Sequence, residues 1–300
     1  MARITSCATL GYADYGLSTA LECIAAMRFE RVEITELGSY CRHFPHGQTT
    51  AATVAAELKA AGLRAVAMNV SASRMEDGEI YRPRLGDPAC TEEIVAYAGW
   101  FLRQAKELGA GVVSFPIGPR MLEERHWCSE MKASVDGYLR IADMAAACGV
   151  GLNIEAPHLY QLVDSVPHVR EVLDALGNTT VGVTVDSSHW GILKYDLEAY
   201  LSWLGPRLTH VHLRDSAGAD TRNFHQNLEL TPGRGTVDFA AFAQALDQAG
   251  YRGDVSVEFE YRGLPLERIR QEYIAGLSHL QRCGWLLGDG VKDWLKHASQ

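Results

Sequence analysis

Residues 181–215 read VGVTVDSSHWGILKYDLEAYLSWLGPRLTHVHLRD. Two short runs rich in Val and other apolar residues, VGVTVD at 181–186 and LTHVHLRD at 208–215, stand on either side of a segment long enough to be a helix. Residues pointing to opposite faces of each run are apolar, so each strand is buried on both sides, as parallel strands are when helices cover a sheet. Parallel neighbours need a crossover connection, which the intervening segment supplies.

The same alternation extends outward in both directions. Further strand-like runs are ITSCAT (4–9), VEIT (32–35), RAVAMNVS (64–71), GVVSFPI (111–117), VGLNIEA (150–156) and VSVEFE (255–260), which brings the count to eight. Between them apolar residues recur at spacings of three and four, as in Thr91 to Leu108, Met131 to Cys148, Phe239 to Ala249 and Arg268 to Trp285. Glycines at 62, 109, 149, 177 and 250 follow such segments, where a residue tolerating positive φ closes a helix. Eight strand–helix units predict an α/β fold of one domain over residues 1–300, a closed (β/α)8 barrel of the TIM type. An open doubly wound sheet would be expected to carry G-x-G-x-x-G after its first strand, where this chain has TLGYADYGLS. Two long stretches after strands, Ala72 to Ala89 and Ser216 to Val237, read as irregular and as candidate lids.

Composition is that of a globular chain: 300 residues, 47% hydrophobic and 22% charged. A net charge of -9 offers no general attraction to phosphate backbones, so a nucleic-acid partner is not expected. Seven cysteines, Cys7, Cys23, Cys41, Cys90, Cys128, Cys148 and Cys283, are scattered without C-x-x-C spacing, which suits reduced thiols in a cytoplasm. The amino terminus lacks the pattern of a signal peptide, and no apolar run reaches the roughly 18 residues a membrane span needs, so no membrane partner is expected.

The late strands carry charge where a packed core should not. Glu155 ends NIE, Asp186 ends TVD, His210 and His212 punctuate HVH, and Glu258 and Glu260 alternate in VEFE. Unpaired carboxylates are costly to bury, and a ring of them calls for a compensating positive centre. A divalent cation meets that need; three carboxylates and one imidazole suit Mn²⁺, Mg²⁺ or Co²⁺ better than a thiolate-rich structural zinc site. Any one of these acids alone could equally be a helix cap or a loop residue. His210 and His212 share a face, with His212 nearer the carboxyl end; His210 lies deeper, as a supporting or core residue. Spacing alone does not rank Glu258 against Glu260.

These motifs resemble the sugar isomerase and epimerase branch of the xylose-isomerase-like barrels, a group that also includes hydroxypyruvate isomerase, inosose dehydratase and the endonuclease IV repair enzymes. The resemblance spans essentially the whole chain and rests on NIEAPH, the D-x-x-H of DSSHWG, HVHLRD, PGRGTVDF and YRGDVSVE. It implies metal ligation by Glu155, Asp186, His212 and Glu258, with Mn²⁺ the leading choice, and it selects Glu258 over Glu260. It further implies catalysis by Glu155 and Glu258 as acid and base, and substrate contact by His189. Proton abstraction beside a carbonyl through a metal-stabilised enediolate would then isomerise or epimerise a small carbohydrate-like substrate. A dehydratase or lyase acting on a keto-sugar or keto-cyclitol would use the same groups.

Ketose 3-epimerases usually carry a substrate-gripping arginine where this chain has Gly218; Arg214 or Arg234 could substitute. Glu33, Asn69 and His158 are candidates to bind substrate hydroxyls. Cys41, His43 and His46 read as a plain loop, and Tyr12, Phe44, Phe115, Trp127 and Trp190 as core or sugar-facing rings. Arg74, Arg82 and Arg84 read as solvated, with a phosphate or carboxylate as the other use. Early strand ends offering Glu33, Asn69 and Phe115 rather than histidines argue against a multi-metal nuclease, intact ligand positions argue against a non-catalytic barrel, and a homo-oligomer stays open.

Overall fold

A computed structural model describes residues 1–72, 74–76, 79–81, 84–120, 127–218 and 230–298. Its strands are β1 (Ser6–Ala8), β2 (Arg31–Glu36), β3 (Arg64–Val70), β4 (Arg74–Glu76), β5 (Glu79–Tyr81), β6 (Val112–Ser114), β7 (Gly151–Glu155), β8 (Gly182–Asp186), β9 (Leu208–Leu213) and β10 (Asp254–Val257). Eight of them close a barrel in the order β1, β10, β9, β8, β7, β6, β3, β2, with every neighbouring pair parallel. Helices cross between successive strands and cover the outside. This is the expected (β/α)8 barrel.

All eight expected runs form barrel strands, but several stop early, β6 and β10 by three residues. β6 ends at Ser114; Phe115 N–H still donates to Asn153 O at 2.9 Å, and Pro116, which has no N–H, cannot extend the ladder. β10 ends at Val257, with a last backbone bond from Glu258 N–H to Leu213 O at 3.1 Å. Ala72 to Ala89 is not wholly irregular, since β4 and β5 pair antiparallel outside the barrel. The helix Pro88–Leu108 also begins before the expected Thr91, because Asp87 caps it and Pro88 suits its first turn. At the other end of that helix Gly109 takes φ +73°, a left-handed conformation that glycine adopts without a Cβ penalty.

The apolar faces of the strands pack outward against helix residues such as Phe101, Leu102, Ile141, Tyr200 and Phe242, all at most 2% exposed. Tyr138 is buried with them, and its hydroxyl ties the helix Trp127–Cys148 to the sheet, its single proton shared between Phe115 O and Asn153 O at 2.9 and 3.0 Å. The lumen, by contrast, is lined with hydrogen-bonded polar groups. Ser114 on β6 meets Thr184 on β8 at 2.8 Å, past the intervening β7, and Ser6 meets Ser256 at 2.7 Å. Glu33 on β2 reaches His210 and His212 on β9, past the intervening β1 and β10, so that contact crosses the lumen. Among the described residues, no helix is long and apolar enough to cross a membrane.

Candidate metal centre

Four consecutive strands each deliver one group to the same end of the barrel. Glu155 is the last residue of β7, Asp186 the last of β8, His212 the penultimate residue of β9, and Glu258 follows β10. In-register pairing sets Asp186 beside His212 and His212 beside Ser256. One ligand atom from each of Glu155, Asp186, His212 and Glu258 lies within 4.8 Å of the others, and all four residues are buried. His212 Nδ1 is 3.2 Å from Glu258 Oε2 and 3.6 Å from Glu155 Oε1. None of these three atoms has a hydrogen-bond partner. Buried polar atoms are almost always paired, so three orphans converging from different strands point to a shared partner that is not a protein group. Their oxygen-rich character fits a hard or borderline divalent cation.

Neighbouring side chains fix which atom of each residue faces the cluster. Asn69 Nδ2 donates to Glu258 Oε1 at 2.7 Å, turning Oε2 inward. Asp186 caps the helix Ser187–Leu193, with Oδ1 accepting from Ser188 N–H at 2.6 Å, while Oδ2 accepts from Arg214 Nε at 2.6 Å. Glu33 lies below His212 and is completely buried, each of its oxygens 3.0 Å from a histidine Nε2. Burial works to raise the Glu33 carboxyl, but His212 and His210 hold it well below the usual range. Burial likewise opposes a charged His212, yet the carboxylates of Glu258 and Glu33 hold it well above the ordinary imidazole value. Glu155 is pushed up to about 7, by burial first, with His212 pulling the other way.

Arg214 enters the cluster from beyond β9. Besides Asp186 it reaches Ser188 Oγ at 3.1 Å and Glu260 Oε2 at 3.2 Å, and its Nη2 lies 3.8 and 3.7 Å from Glu155 and Glu258. The same Nη2 is 3.4 Å from His189 Nε2. Arginine has no acceptor, so His189 takes that bond through its lone pair and carries its proton on Nδ1, which is buried without a partner. Burial, Arg214 and His212 together hold His189 well below the ordinary imidazole value. His158 Nδ1 accepts from Tyr160 N–H at 3.2 Å, and its ring centre lies 4.0 Å from that of His189.

The structure therefore brings Glu155, Asp186, His212, Glu258, His189, His158, Arg214, Asn69 and Glu33 to one place, but gives two of them different company from that expected. Glu33 and Asn69 are aimed at His212 and Glu258 rather than held out for substrate hydroxyls. Arg234, the other stand-in for the arginine missing at Gly218, is tied to Glu272 at 2.6 and 2.7 Å. Arg84 pairs with Glu130; the side chain of Arg74 and all of Arg82 lie outside the described residues. Tyr12 stacks on Tyr273, Phe44 packs on Trp100 and Phe101, Trp127 stacks on His168, and Trp190 donates to Tyr195 O, which makes all four packing residues. Phe115 is likewise core, and Cys41 and His43 contact each other at 3.3 Å in a loop. Glu260, the acid not selected as a ligand, takes Arg214 instead, and Ser188 and Asp215 join the site's surroundings without having stood out in the sequence. Asp215, which ends the HVHLRD run before a glycine-rich turn, accepts four backbone N–H groups.

A protein-family model described as xylose isomerase-like TIM barrel matches residues 21–283. The chain belongs to that family. Among curated relatives of this xylose isomerase-like barrel is the inosose isomerase of Bacillus subtilis strain 168, 25% identical over 185 residues, which are 60% of this chain and 66% of that protein. The chain thus spans just under two thirds of that relative's length in the match. Among solved structures, the D-psicose 3-epimerase of Clostridium cellulolyticum H10, determined with D-tagatose, superposes with a TM-score of 0.70 at 16% identity, covering 93% of this chain and 98% of that one. The IOLI protein with a bound zinc atom superposes with a TM-score of 0.72 at 19% identity, covering 92% and 98%. At such identities the two superpositions speak to the fold.

Proposed function

We propose that the protein is a divalent-metal-dependent isomerase or epimerase of a small, carbohydrate-like hydroxy-carbonyl compound. The observation that carries this reading is the convergence of Glu155 Oε1, His212 Nδ1 and Glu258 Oε2, all buried and all without hydrogen-bond partners. The names of an inosose isomerase relative and of a psicose epimerase of the same fold support the class of substrate, and the zinc of a third protein supports the cation.

Glu155, Asp186, His212 and Glu258 would hold the cation, with Mn²⁺ the first choice and Mg²⁺ or Co²⁺ the others. When bound, it supplies Lewis acidity that polarises a carbonyl and makes the neighbouring C–H more acidic. The rest of the chemistry falls to the chain. Glu155 and Glu258 approach the cluster from strands that are not neighbours, β7 and β10, and so face a bound substrate from different sides. One takes the proton α to the carbonyl and the other returns a proton, to the opposite face in an epimerase or to the adjacent carbon in an isomerase. His189 presents Nδ1–H to a substrate oxygen, and His158 stands beside it. Arg214, held by Asp186 and Glu260, faces the same cluster and would contact substrate oxygens there.

The buried Nδ1–H of His189 also favours a second reading, a dehydratase or lyase in which it hydrogen-bonds a departing hydroxyl, while the glutamate that has taken the α proton hands it on to that hydroxyl and water leaves. One experiment separates the two. The Mn²⁺-loaded protein is incubated with ketoses, inososes and 3-keto sugars in deuterated water. Carbon-bound deuterium in a product of unchanged elemental composition, apart from the isotope, is the expected result; loss of water would establish the second reading. Unchanged exchange in Glu155→Gln and Glu258→Gln would remove both glutamates from their roles.

A further inference from the structure

Glu33 has no exposed surface, and both of its oxygens are committed. Oε1 accepts from His212 Nε2 and Oε2 from His210 Nε2, each at 3.0 Å. A carboxylate has no proton to donate, so each histidine must turn an Nε2–H toward it. Once a cation takes the place of its second proton, an imidazole that donates through Nε2 presents its lone pair on Nδ1, and in His212 that is the atom 3.2 Å from Glu258 Oε2 and 3.6 Å from Glu155 Oε1. His210 keeps the carboxylate from rotating away. Its Nε2 is also 3.3 Å from Ser256 Oγ, which is in turn 2.7 Å from Ser6 Oγ, so the lock extends across β9, β10 and β1.

We propose that Glu33 is a positioning residue of the candidate metal centre: bridging His210 and His212 across the lumen, it holds His212 in the tautomer and orientation that present Nδ1 to a divalent cation, and so sets the site's affinity. This rests on the reading of the four-residue cluster as a cation site. Carboxylates that accept from the far nitrogen of a metal-bound histidine fix its tautomer and raise its basicity, and losing one weakens metal binding by about 10–100-fold. Glu33 therefore acts on the cation without touching it, a role distinct from gripping a substrate hydroxyl.

The test compares chelator-treated wild type and Glu33→Gln by calorimetric titration with Mn²⁺ and with Zn²⁺ alone. Glutamine keeps the shape but can accept from only one histidine, offers a less charged oxygen to it, and turns an amide N–H₂ toward the other. Expected is a rise in Kd of about 10–100-fold in the variant, read at a temperature where circular dichroism shows the metal-free variant fully folded. A Kd within twofold of wild type would overturn the proposal, as would a variant that merely melts earlier while binding cations normally. If wild type itself binds neither cation, the reading of the cluster fails and this proposal with it. A second measurement does not depend on the variant. In Zn²⁺-loaded wild type labelled with ¹⁵N-histidine, long-range NMR correlations should show His212 protonated at Nε2 and metal-shifted at Nδ1; the reverse pattern would also sink the proposal.

Discussion

Asp215 allows a stability prediction to be worked from the structure bond by bond. Its Oδ1 accepts the N–H groups of Ser216 and Val237 at 2.8 and 3.0 Å, and its Oδ2 accepts those of Gly233 and Gly235, both at 2.8 Å. The side chain is buried, and backbone bonds to Leu230 in both directions hold its own peptide in place. Gly235 comes so close that a Cβ there would lie 2.4 Å from Asp215 Oδ1. Asp215→Asn preserves the shape, but the amide oxygen can serve only one pair of donors, and the amide N–H₂ then faces the other pair. Two hydrogen bonds to a charged acceptor are lost, at about 1.5–3 kcal/mol each, or about 3–6 kcal/mol before any repulsion between the opposed donors. For a domain of this size that corresponds to a fall in Tm of about 5–15 °C. Scanning calorimetry on the metal-free proteins reads it directly. A fall under about 2 °C would show that the four N–H groups find water as readily as the carboxylate, and would refute the clamp.

Three further outcomes follow from the site and its surroundings. Saturating Mn²⁺ should stabilise chelator-treated protein by about 2.7 kcal/mol at a hundredfold excess over Kd, and EDTA should reverse it; no shift in Tm would speak against a resident cation. Glu258→Gln should weaken Mn²⁺ binding in calorimetric titration far more than Glu260→Gln, whose carboxylate meets Arg214 at 3.2 Å; equal effects would overturn the choice between the two acids. Burial pushes the Glu36 carboxyl up to about 7, against which the Phe44 N–H bond works. The native state then holds a proton that the unfolded chain releases near pH 4.3, so this group's contribution to stability falls as pH rises from about 4.5 to about 7. Glu36→Gln, still able to accept from Phe44, should gain about 1–3 kcal/mol on wild type between pH 5 and pH 8 in urea unfolding, and no change in that difference would refute the assignment.

The barrel was legible because its signal is local. A run such as VGVTVD states by its own residues that both faces are buried, and the crossover behind it dictates a parallel neighbour. The deviations are local too: Pro116 cuts β6 short, and β4 and β5, which pair antiparallel, are three residues each and too short to show an alternating pattern. The four groups at the strand ends were visible for the same reason, since an acid or imidazole closing an apolar run stands out without any knowledge of its partners. Their supports were not. Glu33 is 177 and 179 residues from the histidines it joins, and Asn69 is 189 residues from Glu258. Those contacts exist only because closing the ring sets β2 opposite β9 and β3 opposite the end of β10.

A carboxylate near the end of an early strand reads identically whether it meets a sugar hydroxyl or the back of an imidazole; only the three-dimensional register tells them apart. Alternation failed for a related reason at Glu258 and Glu260. It holds only while the chain is a strand, and β10 ends at Val257, one residue before the first of them. Beyond that point the two acids diverge, Glu258 toward Asn69 and His212, Glu260 toward Arg214. The division has a chemical consequence. Glu260 offsets part of the guanidinium charge that stands 3.7–3.8 Å from Glu155 and Glu258. On the proposed reading, this would let an arginine and a divalent cation share a pocket in which their mutual repulsion would be poorly screened.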